Sequence, residues 1–256
     1  MNKEKPVILI TNDDGIKAKG IASLVEAVKD LGQIVVVSGD QSFSGMSHAI
    51  TVKHPIYIKD LGVMDGVQYY RTNGTPVDCV KLALHTILDI HPDYILSGIN
   101  HGSNSSISVH YSGTIGAARE GCLHGIPSVG FSLMSYDADA DFEQSKQVVR
   151  SVFLKLLDEG LEPNTFLNVN IPDSPKLAGI KLCRQAKGKW QEKFLERVDP
   201  RGRKYYWLTG SYAGLEPEAT DTDEYFLQKN YATVVPCIID VTHFDTLKIK
   251  GDSYAL

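Results

Sequence analysis

Apolar positions in the first two thirds of the chain alternate between two spacings. Pro6 to Thr11 (PVILIT) is a short β-branched run that ends in polar residues, the pattern of a strand buried on both faces. Ile21 to Leu31 carries apolar residues at 21, 24, 25 and 28, a helical stripe closed by Gly32. Ile34 to Val37 reads as the next buried strand. Thr75 to Leu88 reads as a helix with Thr75 as its cap and Pro76 in its first turn. Asp93 to Ser97 is then a strand, Thr114 to Leu123 a helix, Pro127 to Leu133 a strand and Phe142 to Leu157 a long amphipathic helix. Phe166 to Ile171 closes the series. This alternation predicts an α/β fold, a mostly parallel sheet with helices on both faces. Such sheets bind ligands beyond the carboxyl ends of their strands. Attention therefore falls on Asn12–Gly15, Ser38–Ser47 and Gly98–Ser112.

After about residue 185 the pattern changes. Lys187 to Leu208 mixes charge with aromatics and predicts a hairpin, and Ser211 to Thr222 reads as a loop. Tyr231 to Val241 predicts a strand in which Pro236 argues for an edge or a bulge. The expected organisation is an α/β catalytic domain over 1–185 and a smaller β-rich region over 186–256.

Composition narrows the class without changing the fold. The 256 residues are 43% apolar, 9% aromatic and 22% charged, which excludes collagen-like, disordered and disulfide-stapled chains. Lys and Arg number 26 against 31 Asp and Glu, a net charge of −5 with no basic block, so no nucleic-acid duplex is expected as a partner. Cys79, Cys122, Cys183 and Cys237 form no CxxC pair and read as four buried free thiols in a reducing cytosol. The apolar run near the N-terminus is short and runs into acids, so it reads as a strand rather than a signal peptide. No apolar stretch is long enough to span a bilayer. A cytoplasmic protein without a membrane partner is expected.

Asn12-Asp13-Asp14-Gly15 directly follows the first strand. Two adjacent carboxylates at a sheet edge repel each other, and a hard divalent cation such as Mg²⁺ or Mn²⁺ resolves the conflict. The competing reading is an Asx-type turn that caps the next helix. Gly98 to Thr114 (GINHGSNSSISVHYSGT) is too rich in Gly, Ser and Asn to be core. Asn100 and Asn104 offer amide groups to a metal or a substrate oxygen. Ser112-Gly113-Thr114 opens a helix, where backbone N–H groups cradle phosphate; a long surface loop ending in an ordinary cap is the alternative. Asp40, Ser44 and His48 can reach the same edge, and His101 and His110 are acid or base candidates. Thr72 to Asp78 reads as a helix cap with no further role. The chain has no GxSxG, GxxxxGK[ST] or HExxH motif.

Taken in order, TNDDG, SGDQSFSGMSHAIT, NGTPVDCV, DYILSGINHGSN and YSGTIGAAREG closely resemble the SurE (survival protein) family of metal-dependent nucleotidases. VDPRGRKYYWLTG, TDTDEYFLQKNYATVVP and IDVTH resemble its C-terminal region, so the likeness spans nearly the whole chain. The resemblance implies a Rossmann-like α/β domain whose C-terminal part exchanges between subunits, giving a homodimer or homotetramer. It implies one divalent cation per subunit, Mg²⁺ or Mn²⁺, on Asp13, Asp14, Ser44 and Asn100. Asp13 and Asp14 would be catalytic, and Asn12, Asn104, Ser112, Gly113 and Thr114 would bind substrate. The implied activity is hydrolysis of nucleoside 5′- and 3′-monophosphates to nucleoside and phosphate by metal-activated water. This chain departs from the family pattern at Gly39-Asp40-Gln41 and Ser42-Phe43-Ser44-Gly45, where two basic residues are missing. It departs again at Ser105-Ser106-Ile107-Ser108, where a Gly and paired acids are usual.

Three rivals stand beside this reading. An aspartyl-phosphate phosphatase normally uses Asp-x-Asp, whereas Asp13 and Asp14 are adjacent. A phospho-acceptor receiver module needs a further Asp and a Lys at strand ends that this chain does not supply. A phosphate- or nucleotide-binding protein without turnover shares every residue of the site.

Overall fold

The computed structural model describes residues 5–250. The elements run β1 (Val7–Thr11), α1 (Lys19–Val28), β2 (Gln33–Gly39), β3 (Ile58–Met64), β4 (Val67–Thr72), α2 (Pro76–Leu82), β5 (Tyr94–His101) and α3 (Gly113–Leu123). They continue β6 (Ser128–Leu133), α4 (Glu143–Glu159), β7 (Thr165–Ile171), β8 (Gly179–Leu182), β9 (Gly188–Val198), β10 (Lys204–Gly214), α5 (Asp223–Gln228), β11 (Tyr231–Ile238) and α6 (Phe244–Lys250). A π turn over Ala83–Ile87 extends α2, and a 3₁₀ turn over Ser106–His110 precedes α3.

Nine strands form one sheet in the order β3-β4-β2-β1-β5-β6-β7-β11-β8. The six from β4 to β7 are mutually parallel, β3 pairs antiparallel with β4, and β11 pairs antiparallel with β7. From β1 the chain steps to β2 on one side and later returns to β5 on the other. The crevice at the carboxyl ends of β1 and β5 is thus the topological switch point, where open α/β sheets take their ligands.

Alternation along β1 divides the core into two layers. Ile8 and Ile10 face α1 and α4, packing with Leu24, Val28, Val149 and Phe153, while Leu9 faces Val80 of α2 and Ala117 of α3. In α4 the buried residues Ser145, Val148, Val149, Val152, Phe153 and Leu156 recur at helical spacing, and full burial of a side chain such as Phe153 contributes about 2 kcal/mol. Thr75 and Asp78 form a reciprocal capping box at the start of α2.

Several expectations are corrected in detail. The second strand hairpin, β3 and β4, has no counterpart in the sequence reading. β3 is mostly exposed and lacks a clear period-2 pattern. The segment from Ser211 is not loop throughout, because β10 runs to Gly214 opposite Gly188. Cys79 and Cys122 are buried, but Cys183 and Cys237 are only half-buried; all four are free thiols. Pro236 sits where β11 pairs with β7 alone, since β8 leaves β11 after Val234, so its missing N–H costs no ladder bond on that side. The last part of the expected 186–256 region, residues 251–256, lies outside the described residues. Among the described residues no helix is long and apolar enough to cross a membrane.

Candidate active site at the switch point

Asp13 and Asp14 leave β1 into the crevice. Gly15, at φ +93°, takes the left-handed turn that the chain needs there. Asn12 is buried behind the pair. Its amide donates to the Gly15 carbonyl at 3.0 Å, and its Oδ1 accepts from the Ser38 hydroxyl at 2.5 Å. Asp13 is fully enclosed: Thr114 Oγ1 donates to its Oδ1 at 2.5 Å, and a Cβ on Gly113 would lie 3.0 Å from the Asp13 Cβ. Burial pushes the Asp13 carboxyl up and the charge of Asp14 adds to this, while bonds from Thr114 pull it down; it settles at about 6. Asp14, half-buried, accepts the His101 backbone N–H at 3.0 Å; burial raises it too.

Among the described residues, no Lys or Arg pairs with either carboxylate. Lys19, close in sequence, instead donates to the carbonyls of Asp139 and Ala140. No cluster of three or more His, Cys, Asp or Glu side chains arranged for a metal occurs among the described residues. The site offers instead two carboxylates and neutral oxygens. Asn100 donates its amide N–H to the Gly102 carbonyl at 2.8 Å, which leaves its Oδ1 uncommitted. Ser44 lines the same cavity, exposed, with its hydroxyl 2.9 Å from that of Ser42. An uncompensated acid pair with a hydroxyl and an amide oxygen is the donor chemistry of a hard cation.

The Ser38–His48 loop is fixed from several sides. Phe43 N–H donates to the Asp13 carbonyl at 2.7 Å. Ser47 donates its N–H to the Tyr111 carbonyl at 2.9 Å and its hydroxyl to the His110 carbonyl at 2.6 Å. His48 reaches buried Glu120 of α3 at 2.7 Å, and Lys81 reaches the same carboxylate. Thr51 N–H donates to Asp78, so the capping box at Thr75 also anchors the end of this loop, a role the sequence reading did not give it.

Asn104 is buried beside the carboxylates. Its backbone N–H donates to Asn170 at 2.7 Å and its amide donates one hydrogen to Ser132 at 2.7 Å, leaving the second for a ligand. The supporting trio Ser132, Asn168 and Asn170 escaped the sequence reading. The signal for it was two asparagines at alternate positions of an otherwise apolar strand, FLNVNI. Ser112 lines the cavity and caps α3 by accepting the Ile115 N–H at 3.1 Å. Gly113 and Thr114 stand behind Asp13, not on the cavity wall. His101 lines the cavity, its ring edge-on to Phe142 at 5.2 Å. His110 is exposed and lines a separate groove of about 650 Å³ beside β11. Asp40 is exposed, and its backbone N–H donates to the Thr72 carbonyl.

The cavity holds about 720 Å³, the size of a small-molecule site. Asp13, Asp14, Ser44, Asn100, Asn104 and Ser112 line one end, and side chains of the β9–β10 hairpin line the other.

Comparison with known proteins gives one consistent result. The family model described as survival protein SurE matches residues 8–192. The chain is 46% identical over 244 residues to a protein of Phocaeicola vulgatus named 5′-nucleotidase SurE, covering 95% of each. A protein of the same name from Christiangramia forsetii is 48% identical over 250 residues, covering 95% of this chain and 96% of its own. The crystal structure of the SurE protein from Aquifex aeolicus is similar at TM-score 0.82 and 36% identity, covering 96% of this chain and 99% of that one.

Proposed function

As the chain belongs to the survival protein SurE family, we propose that it is a divalent-metal-dependent 5′-nucleotidase, hydrolysing nucleoside 5′- and 3′-monophosphates to nucleoside and phosphate. The observation that carries this reading is the meeting of Asp13, Asp14, Ser44 and Asn100 around one cavity at the switch point. The 5′-nucleotidase names of its relatives support the substrate class. One Mg²⁺ or Mn²⁺ per subunit is held by those four side chains. When bound, the cation supplies Lewis acidity toward the phosphoryl group and eases ionisation of a water.

The chain's own residues do the positioning. Thr114 fixes Asp13 and the His101 N–H fixes Asp14, so the free oxygens of the pair keep one orientation. Those oxygens orient the attacking water for in-line displacement. The free amide hydrogen of Asn104 and the hydroxyl of Ser112, which accepts from Ile115 and keeps its own proton to donate, hold equatorial oxygens as charge redistributes. Four unpaired thiols fit a reducing compartment, and the working location is the cytoplasm.

The test is phosphate release from nucleoside monophosphates with Mg²⁺ or Mn²⁺, with EDTA, and in Asp14→Asn. Release that needs metal and falls at least a hundredfold in the variant is expected. Release that survives both EDTA and the mutation overturns the metal reading; no release from any phosphoester points to a binding protein.

A further inference from the structure

The cavity continues past the carboxylates to one face of the β9–β10 hairpin. Trp190 and Glu192 stand two apart in β9, with Tyr212 opposite Trp190, Gly210 opposite Glu192 and Leu208 opposite Phe194. Opposed residues and alternate residues share a face. Of that face, Trp190, Glu192, Leu208 and Gly210 line the cavity, and Thr209, between the last two on the alternate face, borders it. A Cβ on Gly210 would fall 2.5 Å from the Gln191 carbonyl oxygen, so only glycine fits there, and no side chain crowds Glu192 from across the hairpin.

This wall is held in place. Trp190 packs edge-to-face on Tyr212 with ring centroids 6.2 Å apart, and the Tyr212 hydroxyl donates to Ser106 at 2.9 Å. Ser106 donates its own hydroxyl to the Ala186 carbonyl at 2.9 Å and its N–H to Asp223 at 2.8 Å. Ser105 donates to Glu224 at 2.5 Å. The two serines that depart from the family pattern therefore pin the hairpin and α5 to the loop that carries Asn104. Tyr136 also lines the cavity, with its ring over Gly102, where a Cβ would lie 2.5 Å from the ring edge.

Glu192 is the one acidic side chain of the lining outside the aspartate pair. Among the described residues it makes no ion pair and no side-chain hydrogen bond. We propose that this end of the cavity is a base subsite selective for guanine. The ring stacks on Trp190, and the Glu192 carboxylate accepts the two adjacent N–H donors of the guanine edge, N1–H and the 2-amino group. An ionised carboxylate only accepts, with two oxygens matched to paired donors. Adenine and cytosine place an acceptor nitrogen beside their amino group, and uracil flanks its single N–H with carbonyls, so each sets a lone pair against Glu192. Aromatic stacking alone tolerates any base, so the choice lies with the carboxylate. This inference rests on the nucleotidase reading and names its substrate more narrowly.

The test compares kcat/KM for GMP, AMP, CMP and UMP in wild type and Glu192→Gln, with ribose 5-phosphate as a substrate that lacks a base. GMP is expected to lead the other nucleotides at least tenfold in wild type, and the lead to fall below threefold in Glu192→Gln. A ratio taken on one preparation is unaffected by loss of folded protein. A second readout needs no turnover: in Trp207→Phe the remaining tryptophan emission comes from Trp190, and guanosine is expected to quench it more than uridine does. Equal kcat/KM for the four nucleotides, an unchanged ratio in the variant, or equal quenching overturns the guanine subsite. Failure to release phosphate even from ribose 5-phosphate overturns the nucleotidase reading instead, and the quenching then decides the subsite alone.

Discussion

At the scale of the residue, Asp13 sets a cost that the fold carries for its chemistry. Its carboxyl is raised to about 6 by burial foremost, so the folded chain holds that proton more tightly than the unfolded chain does. The contribution of Asp13 to metal-free stability is therefore full below the unfolded value near 4 and is lost as pH rises through 6, about 3 kcal/mol for a shift of this size. Asp13→Asn keeps an acceptor for Thr114 and removes the charge. The variant is expected to melt higher than wild type at pH 7 in EDTA and to match it near pH 4. Mn²⁺ is expected to stabilise wild type and not the variant. Comparing the two chains separates the Asp13–Asp14 pair from Asp223 and Glu224, which burial also raises. A wild-type minus Asp13→Asn difference in melting temperature that does not change with pH contradicts this account. Asp13, Asp14 and Asn100, which the structure brings to one cavity, stood out as candidates in sequence because each lies in a short polar motif at a strand end, whereas Ser44 was singled out from Asp40 and His48 only by the family resemblance. Glu192, Tyr136 and the Ser106–Tyr212 contact were not legible, because they depend on segments distant in sequence meeting across the cavity.

At the scale of the element, the site depends on how closely α1 lies on β5. A Cβ on Gly20 would fall 2.0 Å from the carbonyl oxygen of Ile99, the residue that precedes Asn100. Gly20→Ala gains up to about 1 kcal/mol of helix propensity and incurs overpacking of about 3 kcal/mol. The expected outcome is a lower melting temperature together with weaker Mn²⁺ binding, measured by calorimetry, because the backbone that must move carries Asn100. An unchanged affinity in a destabilised variant would separate packing from ligand placement. The sequence pattern revealed the strands and helices of the parallel layers because their apolar runs are buried on both faces, as in Ile8–Ile10 and Val35–Val37. It missed β3 because an exposed edge strand needs no alternation. It missed α5 because six residues capped by Thr222 hold too little periodicity, and because the helix matters through Asp223 and Glu224, whose partners are Ser105, Ser106 and Ala186.

At the scale of the whole molecule, the hairpin leaves more apolar surface in water than its role at the cavity needs. Phe194, Val198, Tyr206, Trp207 and Leu208 are exposed on it, and Ile238, Val241, Phe244 and Leu247 are exposed near the other end of the region beyond residue 185. Patches of this kind mark association surfaces. We propose that a second copy of the chain covers these patches, in a dimer or tetramer of closed symmetry. Light scattering is expected to return a multiple of the 256-residue chain mass, and Trp207→Glu to lower it. A monomer at micromolar concentration would contradict this. Function gives the assembly a further consequence. Trp190 and Glu192 sit on the same hairpin, whereas Asp13, Asp14 and Asn100 sit on the sheet. Loosening the assembly should therefore raise KM for nucleotides while leaving metal affinity in place, and a variant that lost both together would show that the two ends of the cavity are held by one interface.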